Sequence, residues 1–252
     1  MVVAFDRPED TFRHELFEQY KSNRVQLPGD LIAQFPLIKE FLDLVGITRW
    51  EQPGLEADDL IASLCRKAVE NGMRAIVVTG DKDLLQLVGP QVQVLQSHYK
   101  NSKLYSEADV IERYGCPPGG LADLFALMGD STDGVPGVPG IGEKGAKELI
   151  DQYGTLECLY ENIASVKAKY QKKLIEHKDL AFLSRSLVQL KMDADCSLQW
   201  DKIGIRPPDE EALRTFYTRL EFNSLLSKTP KGEGIEKISG DYRTVSGRED
   251  LE

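Results

Sequence analysis

Apolar and polar positions alternate first as a short hydrophobic run, Val2-Val3-Ala4-Phe5, which predicts a β-strand ending at Asp6. Residues 11–24 are polar with helical spacing: Arg13, Phe17, Lys21 and Arg24 fall on one stripe, with Tyr20 alongside. A second helix is predicted from Asp30 to Val45, apolar at 31, 35, 38, 41, 42 and 45, with Pro36 limiting its first turn. Gly54 precedes a helix over 55–71 with a core stripe of Ala57, Leu60, Ile61, Leu64, Cys65 and Ala68, ended by Asn71-Gly72. Ala75–Thr79 reads as a buried strand running into Gly80-Asp81-Lys82-Asp83, and Val92–Leu95 as another short strand. From about residue 106 the pattern is helical, punctuated by Gly and Pro at 116–120 and 134–145.

Strands alternating with helices predict an α/β core with a largely parallel sheet over residues 1–115, followed by a helical domain over 116–226. Residues 227–252 turn polar and glycine-bearing and read as a linker or tail. Ligands of parallel sheets collect at the carboxyl ends of the strands, where Asp6, Asp81 and Asp83 fall. Only two or three strands are recognisable and the first begins at residue 2, so a further strand is expected upstream.

Composition narrows the class without naming a function. At 252 residues the chain can bury a substantial core in one or two domains, and no apolar run is long enough for a membrane span. Cys65, Cys116, Cys158 and Cys196 are widely separated, and the histidines stand at 14, 98 and 177. This argues for reduced thiols in a cytoplasmic protein and against a zinc site. Trp50 and Trp200 are assigned to core or interface. The net charge of −10 is unusual for a nucleic-acid partner, but the distribution of charge decides such binding.

The informative chemistry is acidic. Asp6, Glu56, Asp58, Asp59, Asp81, Asp83, Asp130 and Asp133 come in four clusters, each beside a break between elements. Singly each has an ordinary explanation, since acids favour helix starts and Gly-Asp favours turns. Together they would repel unless protons or cations neutralised them, which predicts a divalent-metal centre. The glycine-rich stretch from Gly137 to Ile150 predicts a tight hairpin entering a helix near Glu143. Such a hairpin offers backbone N–H groups to a phosphate beside Lys144 and Lys147. The stripe of Arg13, Phe17, Lys21 and Arg24 with Tyr20 suits a single strand, cations on phosphates and rings on bases, although a solvated helix face has the same pattern. Lys167, Lys169, Lys172, Lys173 and Lys178 form a further basic run with the same ambiguity.

In this order, Val3–Asp6 with Phe12-Arg13, Glu56–Asp59, Thr79–Asp83 and Leu127–Gly145 closely resemble the 5′-nuclease domains of bacterial DNA polymerases I, within the flap endonuclease family. The similarity spans residues 2–226, and Asp241–Leu251 resembles the opening of the polymerase segment that follows in that family. The resemblance implies an N-terminally truncated PIN-like nuclease core followed by a helix-hairpin-helix-type DNA-binding domain. Implied with it is two-metal hydrolysis of DNA or RNA-primer phosphodiesters at 5′ ends and flaps, in replication and repair, with Mg²⁺, or alternatively Mn²⁺. Asp6, Glu56 and Asp58 would hold one ion and Asp81, Asp83 and Asp133 a second, with Asp59 and Asp130 close by. Arg13 and Lys21 would act on the reacting phosphate, with Arg24 in the same gateway. Gly137, Gly140, Gly142, Lys144 and Lys147 would grip duplex DNA. A polymerase domain or a separate N-terminal polypeptide would be the protein partner.

Two departures bear on activity. The family's opening strand, with another metal-binding Asp, is missing ahead of Asp6, which is expected to leave apolar neighbours uncovered. Gly134 stands where relatives carry Asn. A catalytically impaired branched-DNA-binding relative, and a metal-dependent phosphatase on another α/β scaffold, are the competing classes; the latter leaves the hairpin and the basic segment unexplained.

Overall fold

Two short sheets rather than one carry the amino-terminal half of the protein, whose computed structural model describes residues 1–97, 101–195, 203–204 and 206–229. β1 (Val2–Ala4) pairs in parallel with β2 (Thr48–Trp50), Val2 opposite Thr48. β3 (Ala75–Thr79) pairs in parallel with β4 (Val92–Ser97), and β4 in turn pairs antiparallel with β5 (Ser102–Tyr105). The largely parallel sheet predicted from sequence is thus split, with one antiparallel edge. β2 and β5 were not foreseen, because runs of three and four residues carry almost no periodicity.

The helices on the first half are α1 (Phe12–Leu16), α2 (Gly29–Ile32), α3 (Phe35–Leu44), α4 (Ala57–Glu70) and α5 (Glu107–Tyr114). Three of them follow directly from local chemistry. Pro36 sits in the first turn of α3, where its missing N–H is harmless. Gly72, at φ +73°, follows the last turn of α4. The Ser106 hydroxyl accepts from the Asp109 N–H to start α5, and Gly115 ends it in the left-handed region. The predicted helix over 11–24 is corrected: α1 stops at Leu16, Phe17 is extended, and 18–23 form turns. The predicted 30–45 helix is likewise broken into α2 and α3.

Beyond Gly115 come α6 (Leu121–Met128), α7 (Glu143–Tyr153), α8 (Leu156–Glu161), α9 (Ala168–Glu176), α10 (Lys178–Val188), α11 (Glu210–Arg219) and α12 (Asn223–Leu226). The main core crosses this junction without a break. Val77, Val94 and Tyr105 belong to the same buried cluster as Phe125, Leu127, Leu149 and Leu187. A small second cluster gathers Trp50, Leu55, Leu60 and Ala194, and a third packs Leu213, Phe216 and Tyr217 of α11 on Leu37, Phe41 and Leu44 of α3. The two sheets flank an apolar trough of about 470 Å³, floored by Ile61, Leu64 and Ala68 of α4. Ile76 and Val78, on its β3 side, are 64% and 65% exposed. Trp200, Cys196, His98 and the polymerase-like stretch 241–251 lie outside the described residues.

Truncating a fully buried side chain of the shared core should be costly. Leu124→Ala is expected to lose about 2–5 kcal/mol in urea unfolding, whereas Ile175→Ala, at an exposed position, should stay within about 0.5 kcal/mol. Equal losses would show that the core is not where the packing places it.

Candidate active site

Four local devices bring carboxylates to one place. The Asp6 side chain, just past β1, accepts from the Ala57 N–H at 2.7 Å and so sits on the first turn of α4. Glu56 and Asp58 flank that turn. Past β3, the Asp81 N–H donates to Thr79 Oγ1 at 2.9 Å, and Asp81 Oδ1 receives the Asp83 N–H at 2.8 Å, a compact side-chain-braced turn. After α6, Asp130 accepts from the Thr132 N–H and exchanges backbone bonds with Val135, which holds Asp133 toward α4. Glu56, Asp58, Asp83 and Asp133 line one small pocket with Arg13, Tyr20 and Lys21.

Crowding shows in proton affinities. Burial, then repulsion from Asp81, Asp6 and Glu56, pushes Asp58 up to about 8 against the pull of Lys21. Burial and Asp81, with smaller repulsion from Asp130 and Asp133, push Asp83 up to about 7 despite neighbouring Lys82. Asp130 goes the other way: burial, the largest single influence, raises it, but Lys82 and the Thr132 and Asp133 N–H groups together lower it. Lys82 pairs with Asp130, Lys21 Nζ lies 2.8 Å from Glu56 Oε1, and Arg24 lies 2.7 Å from Asp133 Oδ1. Among the described residues no three acids close into a ready cage around one point. One oxygen stands apart: Asp83 Oδ1 is buried with no hydrogen-bond partner. An all-carboxylate donor set containing an unpartnered buried oxygen fits a hard divalent cation.

Several sequence expectations are corrected here. Arg13 does not reach out toward a phosphate. It is 2% exposed, with its guanidinium donating to both Asp59 oxygens at 2.6 and 2.8 Å and to the carbonyls of Leu187 and Gln189. Its own acidity is weakened: burial, the largest single influence, acts the other way, but Asp59, Glu56 and Tyr20 together outweigh it. Asp59, fully buried, also accepts from the Lys191 N–H at 2.9 Å and the Glu56 N–H at 3.4 Å, so both its oxygens are already engaged within the protein. Tyr20 is not a stacking platform: its ring is buried and its hydroxyl donates to Glu56 Oε2 at 3.2 Å. Gly137 is not a phosphate contact either. It is buried, donates its N–H to Ser184 Oγ at 3.0 Å, and packs so closely on Gly129 that neither has room for a Cβ.

The remaining hairpin residues stay at the surface. Gly142 and Lys144 are exposed at the start of α7, and Gly140 is exposed with its carbonyl accepting from Lys173 Nζ at 2.7 Å. Lys147 is tied to Glu143 and to the Arg113 carbonyl. In the basic run, Lys167 and Lys169 pair with Glu148. Sequence reasoning missed Gln96, 3% exposed, whose Nε2 donates to the Asp81 carbonyl at 3.2 Å while its Oε1 accepts from Arg113. Its signal was available: Gln96 continues the inward alternation of Val92 and Val94.

Residues 1–115 match the family model of the 5′-3′ exonuclease N-terminal resolvase-like domain, and residues 116–211 that of the 5′-3′ exonuclease C-terminal SAM fold. The chain belongs to the 5′-3′ exonuclease family, which includes the flap nucleases. It is 42% identical to the thermostable DNA polymerase I of Thermus aquaticus over 226 residues, and 40% identical to the DNA polymerase I of Bacillus caldotenax over 253 residues. These matches cover 90% and 98% of the chain but only 27% and 29% of those proteins. The T5 5′-exonuclease with bound zinc superposes with a TM-score of 0.64 at 25% identity, covering 80% of this chain and 79% of that one. The Rad2 catalytic core in complex with DNA substrate shares the fold, with a TM-score of 0.62 at 20% identity over 91% of this chain and 79% of that one.

Two measurements check the electrostatics. Arg13→Leu leaves Asp59 buried and unpaired and should cost about 3–5 kcal/mol of stability in urea unfolding; a loss below about 1 kcal/mol would mean the pair is not buried as described. Asp58 and Asp83 keep protons in the metal-free fold, up to about 8 and about 7, that the unfolded chain releases near pH 4. The folded state therefore binds more protons between about pH 4 and 8, and stability from these groups falls as pH rises through that window. In EDTA, Asp58→Asn should be more stable than the parent at pH 8 and indistinguishable from it at pH 4. A pH-independent difference would contradict the assignment.

Proposed function

We propose that this protein hydrolyses DNA and RNA-primer phosphodiesters at 5′ ends and at the base of 5′ flaps, with two divalent cations, Mg²⁺ or Mn²⁺, as cofactors. The observation that carries the reading is the buried, unpartnered Asp83 Oδ1 beside Asp81, in the pocket it shares with Asp58. Asp58, Asp81 and Asp83 would be the first ligands, joined by Asp6, Glu56 and Asp133. Asp130 acts one step back, holding Lys82 beside the centre. When bound, the cations supply Lewis acidity and offset the charge of the phosphate.

The chain's own residues supply the rest. Lys21 and Arg24 stand at the mouth of the pocket, near enough to the acids to orient an entering phosphate. The Arg13–Asp59 pair holds α4 and the chain after α10 in fixed relation, so that Glu56 and Asp58 keep their places. Away from the cut, the exposed start of α7, from Gly142 to Lys144, offers N–H groups and an ammonium to a duplex backbone. This contact gives affinity without sequence preference.

The biological setting follows from the same reading: removal of primers and flaps during replication and repair in the cytoplasm, beside a DNA polymerase domain such as those of the relatives. No helix among the described residues is long and apolar enough to cross a membrane.

The test is a 5′-labelled flap duplex. With Mg²⁺ the protein should release the flap near its base and then shorten the 5′ end, and EDTA should stop both. Asp81→Ala should lower the rate by about 10²–10³-fold or more, the scale of losing one preorganised electrostatic group. Cleavage that continues unchanged in EDTA, or in that variant, would rule the mechanism out.

A further inference from the structure

The turn from Gln19 to Arg24 has no core of its own, yet it is fixed. Residues 22–34 are exposed, and Lys21 adopts φ +54°, a conformation that a lysine seldom takes unless its surroundings impose it. The surroundings are the loop after α6. The Lys21 N–H donates to the Asp133 carbonyl at 2.8 Å, Asn23 Nδ2 donates to the Ser131 carbonyl at 2.9 Å, and Arg24 donates to Asp133 Oδ1 at 2.7 and 3.0 Å. Lys21 Nζ then reaches Glu56. Tyr20, buried in the main core, anchors the near end.

The close approach depends on one residue. Gly134, at φ +70°, faces this turn so tightly that a Cβ there would lie 2.7 Å from the Gln19 carbonyl oxygen and 3.5 Å from Lys21 N. The obstacle is backbone, so it cannot rotate away as a side-chain tip would. Asparagine, which tolerates the dihedral, would meet the same clash. In this arrangement Lys21 and Arg24 occupy Glu56 and Asp133, two acids of the proposed metal centre.

We propose that the Lys21–Arg24 turn is a latch, closed in the free protein by Gly134, that keeps two cations on two carboxylates. Opening frees Glu56 and Asp133 for divalent cations and frees Lys21 and Arg24 for the substrate phosphate, by exchange of ion partners about the Tyr20 anchor. Gly134 is a positioning residue and touches no reactant. The ion-exchange half of the proposal rests on the metal-centre reading above; the latch itself rests on the contacts alone.

Hydrogen exchange at the Lys21 amide reads the latch without any turnover. In metal-free protein Gly134→Ala should exchange this amide at least about fivefold faster than the parent, while the amides of Leu124 to Leu127 stay protected. Calorimetric titration with Mg²⁺ alone should show a Kd lowered about threefold or more in the variant, since the chain's cations no longer compete. Should Gly134→Ala fail to fold, Asn23→Ala removes one latch bond from an exposed position and should shift both readouts the same way. An unchanged Lys21 amide in a folded variant overturns the latch. Faster exchange with an unchanged Kd overturns its coupling to metal and leaves the proposed function standing. Failure of Mg²⁺ to bind parent or variant removes the metal-centre reading itself, and the ion exchange with it.

Discussion

The buried pair of Arg13 and Asp59 is the contact on which the rest of the architecture hangs. It is bidentate, and its spare donors and acceptors go to the Leu187 and Gln189 carbonyls and the Lys191 N–H. Three segments far apart in sequence, α1, the start of α4 and the chain leaving α10, meet on one ion pair. Ser63 repeats the theme one turn along α4, accepting from the Ala194 N–H and donating to the Lys191 carbonyl. A desolvated pair is a poor source of net stability but a strict specifier of geometry, because any other packing leaves a buried charge unmet. Its effect is to hold the start of α4 against the carboxyl-terminal end of α10.

That geometry forces acids together, and the structure answers the repulsion in three ways. Asp58 and Asp83 retain protons. Glu56, Asp130 and Asp133 take chain cations, Lys21, Lys82 and Arg24. Asp6 and Asp81 accept backbone N–H groups, from Ala57 and Asp83. All three lower the cost of crowding carboxylates, and under the proposed function a divalent ion would compete with them for the same oxygens.

Much of the architecture was legible. The apolar run Ala75–Thr79 and the stripe of α4 predicted the strand that ends just ahead of Asp81 and Asp83 and the helix that carries Asp58 and Asp59. The first hairpin glycines were read as turn formers, and the left-handed φ of Gly137 and Gly140 admits few other residues. The stripe of Arg13, Phe17, Lys21 and Arg24 misled, because helical spacing was taken for a helix where tertiary contacts had pulled Phe17 into extended backbone. Arg13 and Asp59 also misled: whether a cation next to an aromatic faces solvent or the core is decided by residues 46 and more than 170 positions away, which local pattern does not register.

Net charge and partner are reconciled by where the charges sit. Of the acids in this −10 chain, those at the pocket form one concentrated focus, and the cations nearest them are tethered on the short Lys21–Arg24 turn and on Lys82. A polyanion approaching the metal-free protein meets neutralised carboxylates rather than bare ones, and each divalent ion bound adds charge where repulsion would be greatest. The exposed start of α7 lies outside that focus, with Lys144 making no ion pair among the described residues. The proposed duplex contact therefore lies apart from the acidic centre, and a net charge of −10 does not by itself argue against a nucleic-acid partner.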